Sequence, residues 1–198
     1  MKQKKSFLFF VMGGTNVGKS TFLETVKKYY PSETHLVEVG KILRAKYPPS
    51  HFQGQGNPAH TQNEAIELCF SGIRDGEAKG ARFIFVDGQP RDAGQAKEIM
   101  AFSDCSISRE RAVIELVCPR KIREARATAR DVDCPEKLRL ALDRLDRDIL
   151  AIHEVLLVFT RYPIHRFNTG SDSYGPLGAF QRVLREYGQL DSQPEFTG

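Results

Sequence analysis

The sequence predicts an α/β fold in which a five-stranded parallel sheet carries helices on both faces. Three observations lead to this prediction: five short apolar runs, segments of helical spacing between them, and the composition of one folded domain. Of the 198 residues, 40% are hydrophobic and 27% are charged, with a formal net charge of +4, which excludes disorder as the main state. Strands that alternate with helices are typical of a parallel sheet.

The elements follow one another along the chain in that alternating order. The predicted strands are residues 7–12, 35–39, 83–87, 113–117 and 164–167. The clearest helix follows Pro135, because apolar side chains recur there every three or four residues and predict one buried stripe. That stripe consists of Leu138, Leu142, Leu145, Ile149, Ile152, Leu156 and Phe159.

The domain organisation is predicted from composition. We expect one domain over residues 1–190, with an inserted lobe over residues 40–80 and a frayed polar tail at 191–198. Residues 47–60 contain three prolines and two glycines, and such a composition predicts a loop.

The cysteines and the charge limit the class of protein. The four cysteines, Cys69, Cys105, Cys118 and Cys134, form no C-x-x-C pair, so we expect reduced thiols in a cytoplasmic protein and no zinc site. No apolar run reaches about 18 residues, so no membrane helix is expected. An isoelectric point near 8.9 permits binding to polyanions without requiring it.

The segment Gly13-Gly14-Thr15-Asn16-Val17-Gly18-Lys19-Ser20 matches the pattern G-x-x-x-x-G-K-[ST]. It lies between an apolar strand and a helical segment that begins with Thr21, and this is the context in which such a loop binds phosphate groups. Its glycines let backbone N–H groups surround a phosphate. Lys19 is then expected to reach the β- and γ-phosphates of ATP, and the Ser20 hydroxyl to bind Mg²⁺.

A carboxylate follows the predicted strand 83–87. Asp87 ends that strand and Arg91 comes four residues later. Parallel sheets present ligand-binding groups at the carboxyl ends of their strands. We therefore expect Asp87 to hold Mg²⁺ through water, with Arg91 facing the same crevice.

The chain resembles the adenylate kinase branch of the nucleoside monophosphate kinases in four segments. Asp87-Gly88-Gln89-Pro90-Arg91, followed by Gln95-Ala96, is similar to the D-G-[FY]-P-R…Q-A signature. Gly40-Lys41-Ile42-Leu43-Arg44 is similar to G-D-x-L-R, and residues 119–130 to P-x-x-x-x-x-x-R-x-x-x-R. Asn168-Thr169-Gly170 falls where that family loops around the ATP base.

The resemblance implies a P-loop kinase fold, Mg²⁺ as cofactor and ATP as phosphoryl donor. It assigns Arg44 to the acceptor phosphate, Arg91 to the acceptor phosphate and the transferred group, and Gln95 to the acceptor base. It assigns Arg126 to the donor base, and Arg130 and Arg144 to a cluster around the phosphates. Such clusters serve phosphoryl transfer because the reaction depends on positioning and charge neutralisation.

The chain departs from the family pattern at four places. Gln89 replaces an aromatic residue and Lys41 replaces an acid. Thirteen residues separate Arg130 from Arg144, and eleven separate Arg44 from Gly56. These short segments predict a reduced lid and a short acceptor lobe, which leave the crevice open.

Three functions fit these features. The first is a kinase that phosphorylates a free nucleoside or deoxynucleoside monophosphate. The second is a kinase that acts on a hydroxymethylated pyrimidine within phage DNA, as certain bacteriophage P-loop kinases do, which suits an open crevice. The third is a P-loop ATPase or sensor, for which an arginine set matched to an acceptor would be superfluous.

Overall fold

The computed structural model describes residues 5–48, 59–106, 109–171 and 175–190. The elements are β1 (Phe7–Met12), α1 (Lys19–Tyr29), β2 (Thr34–Val37), α2 (Val39–Lys46), α3 (Ala59–Ala78), β3 (Phe83–Asp87), α4 (Ala93–Ser106), β4 (Glu110–Val117), α5 (Arg120–Arg130), α6 (Pro135–Val158), a 3₁₀ turn (Phe159–Arg161), β5 (Ile164–Asn168) and α7 (Gly175–Glu186). The strands form one parallel sheet in the order β2-β3-β1-β4-β5. The predicted α/β class and the five-stranded parallel sheet are confirmed.

The central strand β1 is buried on both faces because helices cover the sheet from both sides. Alternate side chains of a strand point to opposite faces. Phe7, Phe9 and Val11 pack in the layer that contains α1 and α7. Leu8, Phe10 and Met12 pack in the layer that contains α2, α3, α4 and α6. All six side chains are at most 3% exposed, so β1 holds the segment that follows it in a fixed place.

Several element boundaries differ from the sequence prediction, among them the start of β4, which lies at Glu110 instead of residue 113. Strand β2 ends at Val37, and Val39 begins α2 instead of ending a strand. Helix α3 begins at Ala59 and includes His60, which were predicted as loop; the prolines and glycines of that segment precede Ala59. Residues 49–58 of the predicted loop, and the predicted tail at 191–198, lie outside the described residues.

The apolar stripe of α6 is only partly buried. Leu145, Leu156 and Phe159 are at most 8% exposed, but Ile149 is 48% exposed. Ile149 borders an open cavity of about 280 Å³ between the helix, the end of β4 and the segment after β1. The prediction of a fully buried stripe was wrong at Ile149, because this side chain lines the open cavity although Leu145 and Leu156, before and after it in the stripe, are buried.

All four cysteines are free thiols, as predicted. Cys69 belongs to α3 and is fully buried in the layer that this helix shares with α2, α4 and α6. The burial raises the pKa of its thiol to about 12. Within the described ranges, the model contains no helix with both the length and the apolar character required to span a membrane.

Close packing of α3 on β2 gives a stability prediction. A Cβ atom at Gly72 would lie 2.5 Å from Cγ1 of Val37, a side chain that is 3% exposed. Gly72→Ala should therefore lower the free energy of unfolding by about 1–2 kcal/mol, because the overpacking outweighs the gain in helix propensity. Urea denaturation measures the change, with Ser71→Ala on the exposed side of the helix as control. Equal stability of the two variants would contradict tight packing here.

Candidate functional site

The candidate site lies where the carboxyl ends of β1 and β3 meet. Val11 pairs with Asp87 across the two strands, so Asp87 lies beside the chain just before it leaves β1 at Met12. The segment 13–18 then connects β1 to the start of α1 at Lys19. Ligands of open parallel sheets bind at this edge, as the sequence predicts.

The loop after β1 has the backbone of an anion-binding turn. Gly13 and Gly18 have φ values of 152° and 100°, and Asn16 adopts φ 61°. A Cβ at Gly13 would lie 2.7 Å from the Leu116 carbonyl oxygen, so only glycine fits against β4 there. The first N–H groups of α1 have no partners within the helix and carry partial positive charge. The loop can therefore hold a phosphate group.

Lys19 lies along the loop that it belongs to. Its Nζ donates to the carbonyl oxygen of Gly13 at 2.5 Å and more weakly to that of Gly14 at 3.3 Å. Burial lowers the pKa of Lys19, while the charges of Asp87 and Asp148 raise it. The ammonium group of Lys19 therefore lies near two carboxylates in the crevice. An anionic ligand bound there would stabilise the positive charge of Lys19, which burial has removed from bulk water.

Asp87 has one carboxylate oxygen that forms no hydrogen bond with the described residues. Its Oδ1 atom is buried and has no hydrogen-bond partner among the described residues. Burial raises the pKa of Asp87, and the charge of Lys19 opposes that rise. A hard cation such as Mg²⁺ favours this kind of oxygen. Asp87 therefore fits a Mg²⁺ ion, and Ser20 is exposed in the first turn of α1, directly after Lys19.

No group of three or more His, Cys, Asp or Glu side chains gathers within the described residues. An all-protein metal cage is therefore not formed by them. Magnesium sites commonly take one or two protein ligands and complete their coordination with water and substrate phosphates. Asp87 and Ser20 would be two such protein ligands.

Three predicted arginines, Arg44, Arg91 and Arg144, lie near one another at the crevice. A Cβ atom at Gly40 would lie 3.1 Å from Nη1 of Arg44 and 3.5 Å from Nη2 of Arg91. Desolvation by the surrounding protein lowers the pKa of Arg91, although the residue reaches the surface, and the charges of Arg44 and Arg144 lower it further. Planar guanidinium groups that lie this near to one another can bind a polyanion through paired hydrogen bonds.

Gln95 supports the backbone of Arg91. Its side-chain Oε1 atom accepts a hydrogen bond from the backbone N–H of Arg91 at 2.9 Å. The backbone N–H of Gln95 donates to Oδ1 of Asp92 at 2.9 Å. The side chain is 5% exposed. Gln95 thus fixes the turn that presents Arg91 to the crevice, and its contact with an acceptor base stays a prediction.

Arg126 and Arg130 join α5 to the loop. Arg126 donates through Nη1 to the Val17 carbonyl oxygen at 3.2 Å and through Nη2 to the Thr169 carbonyl oxygen at 2.9 Å. Arg130 Nη1 donates to Oδ1 of Asn16 at 2.8 Å. The structure therefore places both arginines against the loop, and Arg126 also against Thr169 just after β5, which is compatible with the donor side that the resemblance implies.

Asp148 is the site residue that the sequence reasoning missed. Its Oδ2 atom accepts hydrogen bonds from the Thr15 N–H, at 2.9 Å, and from the Thr15 hydroxyl. A pattern could have indicated it, because Asp148 follows the predicted Arg144 by four residues and so shares its face of α6. A carboxylate thus lies against the loop, near the cationic side chains of Lys19 and Arg91.

Arg123 is a second residue that was missed. It is 3% exposed, and its Nη1 donates to the Leu145 carbonyl oxygen at 3.0 Å. A Cβ atom at Gly14 would lie 2.9 Å from the same nitrogen. Arg123 precedes Arg126 by less than one turn, but the arginine-rich pattern of α5 predicts a solvated surface. The buried guanidinium instead ties α6 to the back of the loop.

No protein-family model and no curated protein sequence matches the chain. The functional conclusion therefore depends on the geometry and charge of the crevice.

Proposed function

We propose that this protein is an ATP-dependent phosphotransferase that moves the γ-phosphoryl group of ATP to a nucleotide acceptor. The observation that carries the proposal is the convergence of two sets of groups on one crevice. The first set is the glycine-rich loop with Lys19, and the second is the arginine group of Arg44, Arg91 and Arg144. One set suits a donor polyphosphate, and the other suits a second anionic substrate.

On the donor side, backbone N–H groups of the loop and the start of α1 bind the ATP phosphates. The loop is formed by Gly13, Gly14, Thr15, Asn16, Val17, Gly18, Lys19, Ser20 and Thr21. Lys19 exchanges its contacts with loop carbonyl oxygens for the β- and γ-phosphates. Asp87 and Ser20 would hold Mg²⁺, and the ion would supply neutralisation of phosphate charge.

On the acceptor side, the arginines bring a second anion towards ATP. Two polyanions repel each other, and planar guanidinium groups cancel that repulsion through paired hydrogen bonds. Arg91 is the central member because both Arg44 and Arg144 perturb it. This arrangement favours a transferase over an ATPase or a sensor, since neither of those needs a cation cluster for a second substrate.

The acceptor is either a free monophosphate or a nucleotide within DNA. Only residues 131–134 connect α5 to α6, so no separate flap stands between Arg130 and Arg144. An open crevice admits a large acceptor, and a bulky acceptor also excludes the water that would otherwise hydrolyse ATP. This observation favours keeping DNA as a candidate acceptor beside the monophosphates.

A single assay tests the proposed function. The protein is incubated with γ-labelled ATP and Mg²⁺, and is offered free monophosphates, DNA that contains hydroxymethyluracil, or no acceptor. We expect label to appear in a diphosphate or in DNA. Label found only in released phosphate, at the same rate with and without acceptor, would contradict the proposal and leave an ATPase.

Salt dependence separates the two acceptors. If the acceptor is DNA, kcat/KM should fall by at least about tenfold between about 50 mM and 200 mM salt, because two or more phosphate contacts release counterions. With a free monophosphate the fall should be much shallower, since a small anion carries no condensed counterions that binding would release. The assay varies salt at constant Mg²⁺. A flat profile with DNA would contradict a polynucleotide acceptor.

A further inference from the structure

The position of Asp148 is difficult to reconcile with an acceptor that reacts through a phosphate. Its Oδ2 atom is fixed by the N–H and the hydroxyl of Thr15 inside the phosphate loop. Its charge raises the pKa of both Lys19 and Arg91, so the carboxylate lies near the loop lysine and near Arg91 as well as against Thr15. This is the region in which the transferred group and the acceptor must meet.

A carboxylate there opposes one chemistry and assists another. A monophosphate acceptor carries about −1.5 to −2 charge at pH 7, and its attacking oxygen has no proton to lose, so a nearby carboxylate only repels it. A hydroxyl acceptor is uncharged at the reacting oxygen and must lose a proton as it attacks. A positioned base speeds such a step by about 10²–10⁴-fold.

The anchoring of Asp148 suits the second case. Because Thr15 holds Oδ2, the direction of the other oxygen is set by the loop, and Oδ1 makes no hydrogen bond with any residue that the structure describes. A Cβ atom at Gly14 would lie 3.7 Å from Cβ of Asp148, so α6 packs on the loop at this point. The carboxylate is therefore held in place while one oxygen remains available to a substrate.

We propose that Asp148 is a catalytic base and that the group phosphorylated by this protein is a hydroxyl borne by a nucleotide. This inference rests on the proposed phosphotransferase function. The acceptor oxygen attacks the γ-phosphorus, the bond from that phosphorus to the β–γ bridging oxygen breaks, and ADP leaves with the electron pair. The hydroxyl proton passes to Oδ1 of Asp148, and the product is a phosphate monoester.

The arginine group keeps its place in this scheme. Arg44 and Arg91 bind the phosphate that the nucleotide already carries, and this phosphate orients the acceptor without reacting. The substrate class is then a nucleotide or polynucleotide with a reactive hydroxyl on its base or sugar. Oligonucleotides with and without one hydroxyl distinguish a base hydroxyl from the hydroxyls at the chain ends.

The test compares the wild-type protein with Asp148→Asn. Asparagine retains an oxygen that accepts from Thr15 but has little basicity, so the loop contact is preserved. Asp143→Asn, on an exposed part of α6, is the matched control. Each protein receives γ-labelled ATP and Mg²⁺ with one of three probes: an oligonucleotide that contains one 5-hydroxymethyluracil, the same oligonucleotide with thymine, or a mixture of deoxynucleoside monophosphates.

The bond that carries the label decides the acceptor class, because a phosphate monoester survives mild acid and a phosphoanhydride does not. We expect acid-stable label on an oligonucleotide, and a kcat at least about 100-fold lower in Asp148→Asn. The KM for ATP should stay unchanged, and the Asp143 variant should match wild type. Label restricted to the hydroxymethyluracil probe places the acceptor on the base, and equal label on both oligonucleotides places it at a chain end.

Two outcomes would overturn the assignment of Asp148 and leave the proposed function intact. One is acid-labile label on the monophosphates with Asp148→Asn as active as wild type. The other is tighter ATP binding by that variant with kcat retained, which would show that Asp148 only competes with phosphate for Thr15. Binding of ATP without transfer to any probe would overturn the phosphotransferase function, and the catalytic role of Asp148 with it.

Discussion

Lys19→Ala is expected to lower kcat for phosphoryl transfer by at least about 10³-fold while the protein remains folded. Lys19 is the cation of the phosphate loop, and its Nζ lies within 2.5 Å of the Gly13 carbonyl oxygen, along the path that the ATP phosphates would take. Alanine removes a positive charge that strengthens its contacts as negative charge develops on the leaving group. The loss should therefore appear in kcat as well as in ATP affinity.

The variant should keep its fold because Lys19 contributes no packing to the apolar layers. The residues of α1 that are buried are Phe22, Leu23 and Val26, and substitution at Lys19 leaves them untouched. A thermal unfolding curve establishes this, and the matched control is Lys27→Ala at an exposed position of the same helix. Turnover near that of wild type in Lys19→Ala would show that the loop is not the donor site.

The sequence predicted the fold well where the structure indicated by a local pattern also suits the burial of the same residues in the folded protein. Strands β1 and β3 have the predicted bounds, because a continuous apolar run ending in glycine or Asp-Gly leaves few alternatives. The boundary between β2 and α2 was misplaced, because Val39 is as apolar as a strand residue. It is buried, but as the first residue of a helix.

The same distinction applies to the site. The loop 13–20 and the Asp87–Arg91 segment are local motifs, and their spacing alone indicates phosphate chemistry. The Asp148 contact joins residues that are 133 positions apart, so it depends on how α6 packs on the loop. Arg123 was missed for a related reason: charge patterning predicts exposure, whereas the packing of α5 against α6 buries this guanidinium.

Arg91→Lys should lower kcat by about 10²–10³-fold with little change in the KM for ATP. Arginine presents two parallel N–H groups to a phosphate, and lysine offers a single compact charge that cannot reproduce the paired contact. The positive charge is retained, so the electrostatic attraction that binds substrates largely survives. The geometry that aligns acceptor and transferred group is what the substitution removes, and that alignment is needed most in the transition state.

Steady-state kinetics with ATP and acceptor varied separately distinguish the roles that Arg91 can have. Loss confined to kcat and to kcat/KM for the acceptor places Arg91 between the two substrates, as its nearness to Arg44 across Gly40 indicates. Arg139→Lys serves as control, because Arg139 is an exposed arginine of α6 paired with Asp143. A variant that lost ATP affinity but kept its kcat would instead place Arg91 on the donor side, and the acceptor phosphate would then depend on Arg44 and Arg144.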